Sequence, residues 1–237
     1  MTRGASGLPG TNGRRRVYLM RHGEVAYFRA DGRAVNPDKV SLTEAGRMQA
    51  SVMADALAAI AFDRAACSGL PRARETAELV LSGRDLSVEE LADFREIKPG
   101  SIRNLPANRA EAEFVYGLER AAEPGARFAE GEPYAAFYAR ISEAFEDLLL
   151  SPGWSRLLLV AHDGTNRMIL GWACQGGLAA VPAFEQDPGC LNIVDADVID
   201  GRIVRRLIKA LNLTPSNIAK HGNYLTSMEQ VFFGRRR

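Results

Sequence analysis

Two apolar runs of this chain each end in a histidine, and that pattern narrows the choice of folds more than any other feature. Val17-Tyr18-Leu19-Met20 leads into Arg21-His22-Gly23-Glu24, and Leu157-Leu158-Leu159-Val160-Ala161 leads into His162-Asp163-Gly164. Each run reads as a short buried strand. Of only three histidines, two therefore stand where such a strand ends and a loop or helix begins. In open α/β sheets ligands bind at the carboxyl ends of parallel strands. Two imidazoles placed there with arginines beside them point to phosphate chemistry.

Bulk properties exclude several alternatives. The chain has 237 residues, 46% hydrophobic and 25% charged, with 30 basic and 29 acidic side chains and a net charge of +1. No global field directs it to nucleic acid or to a membrane, so any positive site must be local. Cys67, Cys174 and Cys190 are odd in number and show no metal-ligand spacing. Free thiols in a reducing cytoplasm are the simpler reading. Arg14-Arg15-Arg16 precedes only four apolar residues, too few for the roughly 7–15 of a signal sequence. No stretch approaches the ~20 apolar residues of a transmembrane helix. A soluble, cytoplasmic protein is expected.

Strands and helices are expected to alternate, which argues for α/β with a largely parallel sheet. Residues 1–13 read as a disordered leader, 14–223 as one domain, and 224–237 as a mobile basic tail. Helices are expected from Ser41 or Thr43 as N-cap, from Pro71 to about Leu81, near 109–120, from Tyr134 to Leu150, and from Thr165 to Cys174. Short strands are expected at 65–67, within 86–91 and at 157–161, and two closing strands at 191–196 and 203–212 with a turn at Asp200-Gly201. Residues 97–130, broken by Pro99, Gly100, Pro106, Gly117, Pro124 and Gly125, read as a cap inserted into the domain.

Within Arg21-His22-Gly23, arginine offers a bidentate fork to phosphoryl oxygens, and a neutral imidazole can attack phosphorus. Gly23 would let the backbone turn and approach a ligand. A core histidine beside a surface arginine would look the same in isolation. The second element, Cys67-Ser68-Gly69-Leu70-Pro71-Arg72-Ala73-Arg74-Glu75-Thr76-Ala77, puts arginines in a helix's first turn, where backbone N–H groups already favour an anion. A bound anion resolves that conflict; surface pairing, such as Arg74 with Glu78 at i,i+4, is the plain alternative.

With these pieces in place, the chain resembles the histidine phosphatase superfamily, which includes cofactor-dependent phosphoglycerate mutases and small-molecule phosphatases. The matching pieces are residues 21–24, Leu42-Thr43-Glu44-Ala45-Gly46 with Gln49-Ala50, and Ser68 through Ala77. Gly131-Glu132 with Phe137 and Arg140, and Val160 through Gly164 with Arg167, complete the set in the family's order. The resemblance implies a three-layer α/β/α sandwich with a mostly parallel central sheet and an inserted cap. It implies His22 as phosphoryl-accepting nucleophile, and Arg21, Arg72, His162 and backbone N–H groups after His162 as phosphoryl ligands, with no metal and no cofactor. Asp163, Gly164 and Asn166 are candidate substrate contacts, and Arg167 is read as structural. A homodimer is compatible with the family.

A proton donor must protonate the leaving oxygen. Glu96, in Phe94-Arg95-Glu96-Ile97-Lys98-Pro99-Gly100, matches the family's acid. Asp163 departs from the glycine common after the second histidine: it either caps the following helix or is itself the donor, and the sequence leaves both open. The mutases carry Tyr-Gly directly after their catalytic glutamate. Here Tyr116-Gly117 comes some twenty residues too late, which favours a phosphatase acting on small phosphomonoesters through a phosphohistidine. Mutase-type transfer and a non-catalytic phospho-ligand binder are the alternatives. Specificity would lie in the cap, with Lys98, Arg103, Asn104, Asn108, Arg109, Tyr116 and Arg120 as candidate contacts.

Overall fold

Strand β1 (Arg14–Arg21) turns Val17 and Leu19 to one face of a sheet and Tyr18 and Met20 to the other. Strand β4 (Arg156–Ala161) does the same with Leu157 and Leu159 against Leu158 and Val160. Because side chains alternate across a strand, an unbroken apolar run has to be covered on both faces. Helices supply the two covers. The computed structural model describes residues 7–29, 33, 35–100 and 107–234. In it, α1 (Glu44–Ala56) and α2 (Pro71–Val80) bury Ala50, Met53, Ala73, Ala77 and Val80 on one face of the sheet. On the other, α4 (Tyr134–Leu150) and α5 (Asp163–Ala173) bury Phe137, Ile141, Phe145, Met168 and Leu170. The architecture is the three-layer α/β/α sandwich.

The sheet is completed by β2 (Arg64–Cys67), β3 (Val88–Glu90), β5 (Leu191–Ile199) and β6 (Arg202–Leu213), in the order β3-β2-β4-β1-β5-β6. Pairs among β1 to β4 are parallel, whereas β5 runs antiparallel to both β1 and β6. Asp200 and Gly201, both at positive φ, turn β5 into β6, a backbone that glycine enters without strain. The basic run at the start of β1 has partners in β5: Arg14 and Arg16 face Asp197 and Asp195 in the ladder and bond them at 2.7 Å each. Thr43, not Ser41, caps α1, its hydroxyl accepting the Gly46 amide at 3.0 Å.

The terminal segments differ from the sequence reading. Residues 1–6 of the expected leader lie outside the described residues. Residues 7–13 are tied down instead of disordered: Leu8 N–H donates to the Arg14 carbonyl at 2.9 Å, and Val198 N–H to that of Gly13 at 3.0 Å. In the expected tail, Ser227–Gly234 forms helix α6, whose Ser227 and Phe232 are buried. An amphipathic turn with one buried phenylalanine gives too short a periodic signal to read from sequence.

In the cap, α3 (Ala107–Phe114) is followed by a 3-10 turn at Gly117–Arg120. The base of the insertion is closed by hydrogen bonds from Glu132 N–H to the Lys98 carbonyl (2.9 Å) and from Gly100 N–H to that of Phe128 (3.4 Å).

Candidate active site

Neighbouring parallel strands bring the two histidines together. Arg21 pairs with Ala161 at the ends of β1 and β4, so His22 and His162 leave the sheet side by side, with ring centroids 5.2 Å apart. Both are buried.

The tautomer of His22 is set by its partners. Nδ1 lies 2.7 Å from the carbonyl oxygen of Gly23, an acceptor only, so Nδ1 carries the proton. Nε2 is left with its lone pair, and there it accepts the Nε–H of Arg72 at 3.1 Å. Burial, together with the Arg72 and Arg21 guanidinium groups, pushes the imidazole well below its ordinary value, so it is neutral near pH 7. Gly23 is required by packing: a Cβ there would stand 2.4 Å from the carbonyl oxygen of Gly46 in α1.

His162 precedes the first residue of α5. Its Nε2 meets the Ser68 hydroxyl at 2.7 Å, while Nδ1 is buried with no hydrogen-bond partner. Burial, Arg72, His22 and Arg21 keep this imidazole neutral as well. Arg72, in the first turn of α2, also donates to the Pro37 carbonyl. Arg21 donates through Nη1 to the Gln186 carbonyl, and its Nε is buried and unpartnered. A buried polar atom without a partner is rare enough to require an explanation. Arg21 Nε and His162 Nδ1 are two such atoms, in one cluster with the lone pair of His22, and an anion accepting from Arg21 Nε would account for the first. Among the described residues no three His, Cys, Asp or Glu side chains gather as a metal centre would.

Glu96 reaches this pocket from the segment before the cap. Its carboxylate accepts the amides of Ile97 (2.9 Å), Gly164 (3.0 Å) and Thr165 (3.2 Å). Burial and the nearby Asp163 charge raise it above the usual carboxylate range, against those amides and Arg72. It does not pair with Arg95 or Lys98. The Glu96 segment is clamped by Arg140, which donates to the carbonyls of Asp93 and Arg95 and to Glu132. Glu132 in turn accepts the Lys98 amide at 3.0 Å.

The three residues expected to contact substrate have partners within the protein. Gly164 gives its amide to Glu96, so two of the first amides of α5 hold the acid. Asp163 neither caps α5 with its side chain nor stands free to donate: its carboxylate accepts Arg167 Nε and the Ser227 hydroxyl and lies 3.7 Å from Arg21. Burial alone would raise it, but Arg167, Arg21 and these hydrogen bonds outweigh burial and hold it ionised. Asn166 is fully buried. Its carboxamide lies 3.2 Å from that of Gln186 and, with its O and N exchanged, donates to the His162 carbonyl at 3.2 Å. Arg167 is structural, bonding Asp163 and Glu185. Arg74 pairs with Glu90, not Glu78. In the cap, Arg109 and Arg120 both bond Glu113, at 3.0 Å each. Arg103 and Asn104 lie outside the described residues, as does the side chain of Asn108.

Sequence reasoning missed Ser68 as the partner of His162, and Gln186, which seats Arg21 and is locked to Asn192 by two side-chain hydrogen bonds (2.7 and 3.1 Å). It also missed Tyr27, a half-buried phenol raised by burial amid the charges of Arg72, Arg21, Glu96 and Asp163. Position directly after β2 was a signal for Ser68. No local signal marks the other two, which come from distant loops.

The chain is 31% identical over 189 residues to an adenosylcobalamin/α-ribazole phosphatase of Salmonella typhimurium, covering 76% of this chain and 90% of that protein. It is 32% identical over 153 residues to a protein of Photorhabdus laumondii named probable phosphoglycerate mutase, covering 62% and 68%. The crystal structure of the α-ribazole phosphatase from Shigella flexneri superposes with a TM-score of 0.67 at 25% identity, over 84% of this chain and 96% of that one. The model of the histidine phosphatase superfamily (branch 1) matches residues 17–208. The chain belongs to the histidine phosphatase superfamily.

Proposed function

We propose that the chain hydrolyses small phosphomonoesters through a phosphohistidine formed on His22. The observation that carries this reading is the fixed tautomer of His22, whose Nε2 lone pair faces Arg72 beside two buried unpartnered nitrogens, Arg21 Nε and His162 Nδ1. Nε2 attacks phosphorus while the bond to the leaving oxygen breaks. Arg21, Arg72 and His162 stabilise the charge on the three equatorial oxygens, so positive charge comes from side chains without a metal. Glu96, raised toward its protonated form, gives its proton to the leaving oxygen. Its carboxylate then takes a proton from water as that water attacks phosphorus, which frees neutral His22 and inorganic phosphate. Asp163, held ionised by Arg167 and Ser227, is poorly suited to donate a proton and acts as a counter-ion to Arg21.

The segment after Glu96 reads Ile97-Lys98-Pro99-Gly100 and not Tyr-Gly, which supports hydrolysis over mutase-type transfer. Cys67, Cys174 and Cys190 are all free, which supports a reducing, cytoplasmic setting. No helix among the described residues is long and apolar enough to cross a membrane.

The test is a phosphate-release screen over phosphorylated metabolites, run beside a phosphoglycerate isomerisation assay. Release should outpace isomerisation. The His22→Ala variant should lose release and the acid-labile phosphoprotein trapped from labelled substrate. Isomerisation outrunning release would sink the hydrolase assignment, and full turnover by His22→Ala would sink the covalent route.

A further inference from the structure

The Asp163 carboxylate is shared by two elements far apart in sequence. Arg167 bonds Oδ1, and Ser227, the first residue of α6, donates its hydroxyl to Oδ2 at 2.6 Å. The Ser227 amide donates to Glu185 Oε1 at 2.8 Å, and Glu185 Oε2 accepts Arg167 Nη2 at 2.8 Å. These four residues close a ring of polar contacts, with Ser227, Asp163 and Arg167 buried. Oδ2, the oxygen held by Ser227, is also the one that faces Arg21 at 3.7 Å. That separation compensates the guanidinium charge without occupying its donors, since a hydrogen bond needs a closer approach. Helix α6 also lies against α3 of the cap.

We infer that Ser227 is a positioning residue for the phosphoryl pocket: its hydroxyl holds Asp163 back from Arg21 and so keeps the Arg21 donors open to phosphate. The inference rests on the reading of Arg21 as a phosphoryl ligand. When the hydroxyl is removed, Oδ2 loses its short donor and closes on the cation that faces it, Arg21, while Arg167 keeps Oδ1. Carboxylate and phosphate then compete for the same fork. The C-terminal helix, which the sequence suggested was a loose tail, thereby contributes to the site without touching the substrate.

The experiment is calorimetric binding of inorganic phosphate to the full chain and to Ser227→Ala, Ser227→Thr and Gln230→Ala, with thermal melts of each. Gln230 is on α6, but its side chain bonds Asn223 and the Leu225 carbonyl, outside the Asp163 ring. Ser227→Ala should weaken phosphate binding about tenfold, the scale of losing one hydrogen bond to a charged group, and raise KM more than it lowers kcat. Ser227→Thr, which keeps a hydroxyl, should recover most of the binding, and Gln230→Ala should bind as the parent does. Equal affinity in Ser227→Ala and the parent, or equal impairment in the alanine and threonine variants, overturns the inference. A parent that binds no phosphate overturns the functional reading itself, and this inference with it.

Discussion

Replacing Gly164 with alanine would separate the acid from the rest of the machinery. A Cβ at this position would stand 2.6 Å from Glu96 Oε1 and 3.2 Å from Phe137 Cε1. Ordinary contact begins near 3.4 Å, so the carboxylate oxygen must retreat by about 0.8 Å, because Phe137 blocks the opposite adjustment. The retreat pulls Glu96 off the amides of Gly164 and Thr165, now 3.0 and 3.2 Å away. His22, Arg21 and Arg72 are not touched by it. General acid catalysis contributes roughly 10²- to 10⁴-fold, so kcat/KM on an alkyl phosphate should fall at least about 100-fold. On p-nitrophenyl phosphate, whose leaving group departs as a stable anion, the loss should stay below about tenfold, because that step needs no proton. The fold should survive: alanine gains about 1 kcal/mol over glycine in a helix, which offsets part of the contact strain. The assay is steady-state kinetics on both esters with a thermal melt alongside. Equal losses on the two esters, or alkyl phosphate turnover within about threefold of the parent, would refute Glu96 at those amides as the proton donor.

Two further outcomes follow from the electrostatics. The pH profile of kcat/KM should require neutral His22 and protonated Glu96. His22 is depressed and Glu96 raised, so activity should fall on the acid side as His22 protonates, well below 6.5, and on the alkaline side as Glu96 ionises. Glu96→Gln should abolish the alkaline limb, and its persistence would exclude Glu96 as the acid. Asp163→Asn removes the negative charge that helps to raise Glu96, so the alkaline limb should shift to lower pH while measurable turnover remains. The same change should lower stability by about 3 kcal/mol, the low end for breaking a buried pair, since Arg167 keeps Glu185. A well-folded Asp163→Asn protein with no turnover would return the donor role to Asp163.

Much of the site was legible because it is local. His22 and His162 each directly follow a strand, Arg72 sits in the first turn of the helix after another, and apolar runs mark the ends of β1 and β4 directly. Glu96 needed more, since nothing in its own segment separates an acid from a surface carboxylate. The resemblance singled it out, and the structure supplied the reason in the amides of α5. Asp163 shows the reverse: its sequence position suggested helix capping or catalysis, while Arg167 four residues on and Ser227 sixty-four residues on make it a buried counter-ion. Arg14, Arg15 and Arg16 looked like a charged leader to an apolar run. Only the antiparallel β5, with Asp195 and Asp197 in register, turns two of them into cross-strand pairs.

The sequence by itself determined the layered α/β architecture and the placing of two histidines at strand ends, because strand period and apolar run length dictate which surfaces must be buried. The tertiary structure alone decided which nitrogen of His22 is free, which carboxyl is raised and which is held ionised, and that the C-terminal helix reaches the site. Those properties depend on distances between segments far apart in the chain, and hydrogen bonding and charge act through space, not along the sequence.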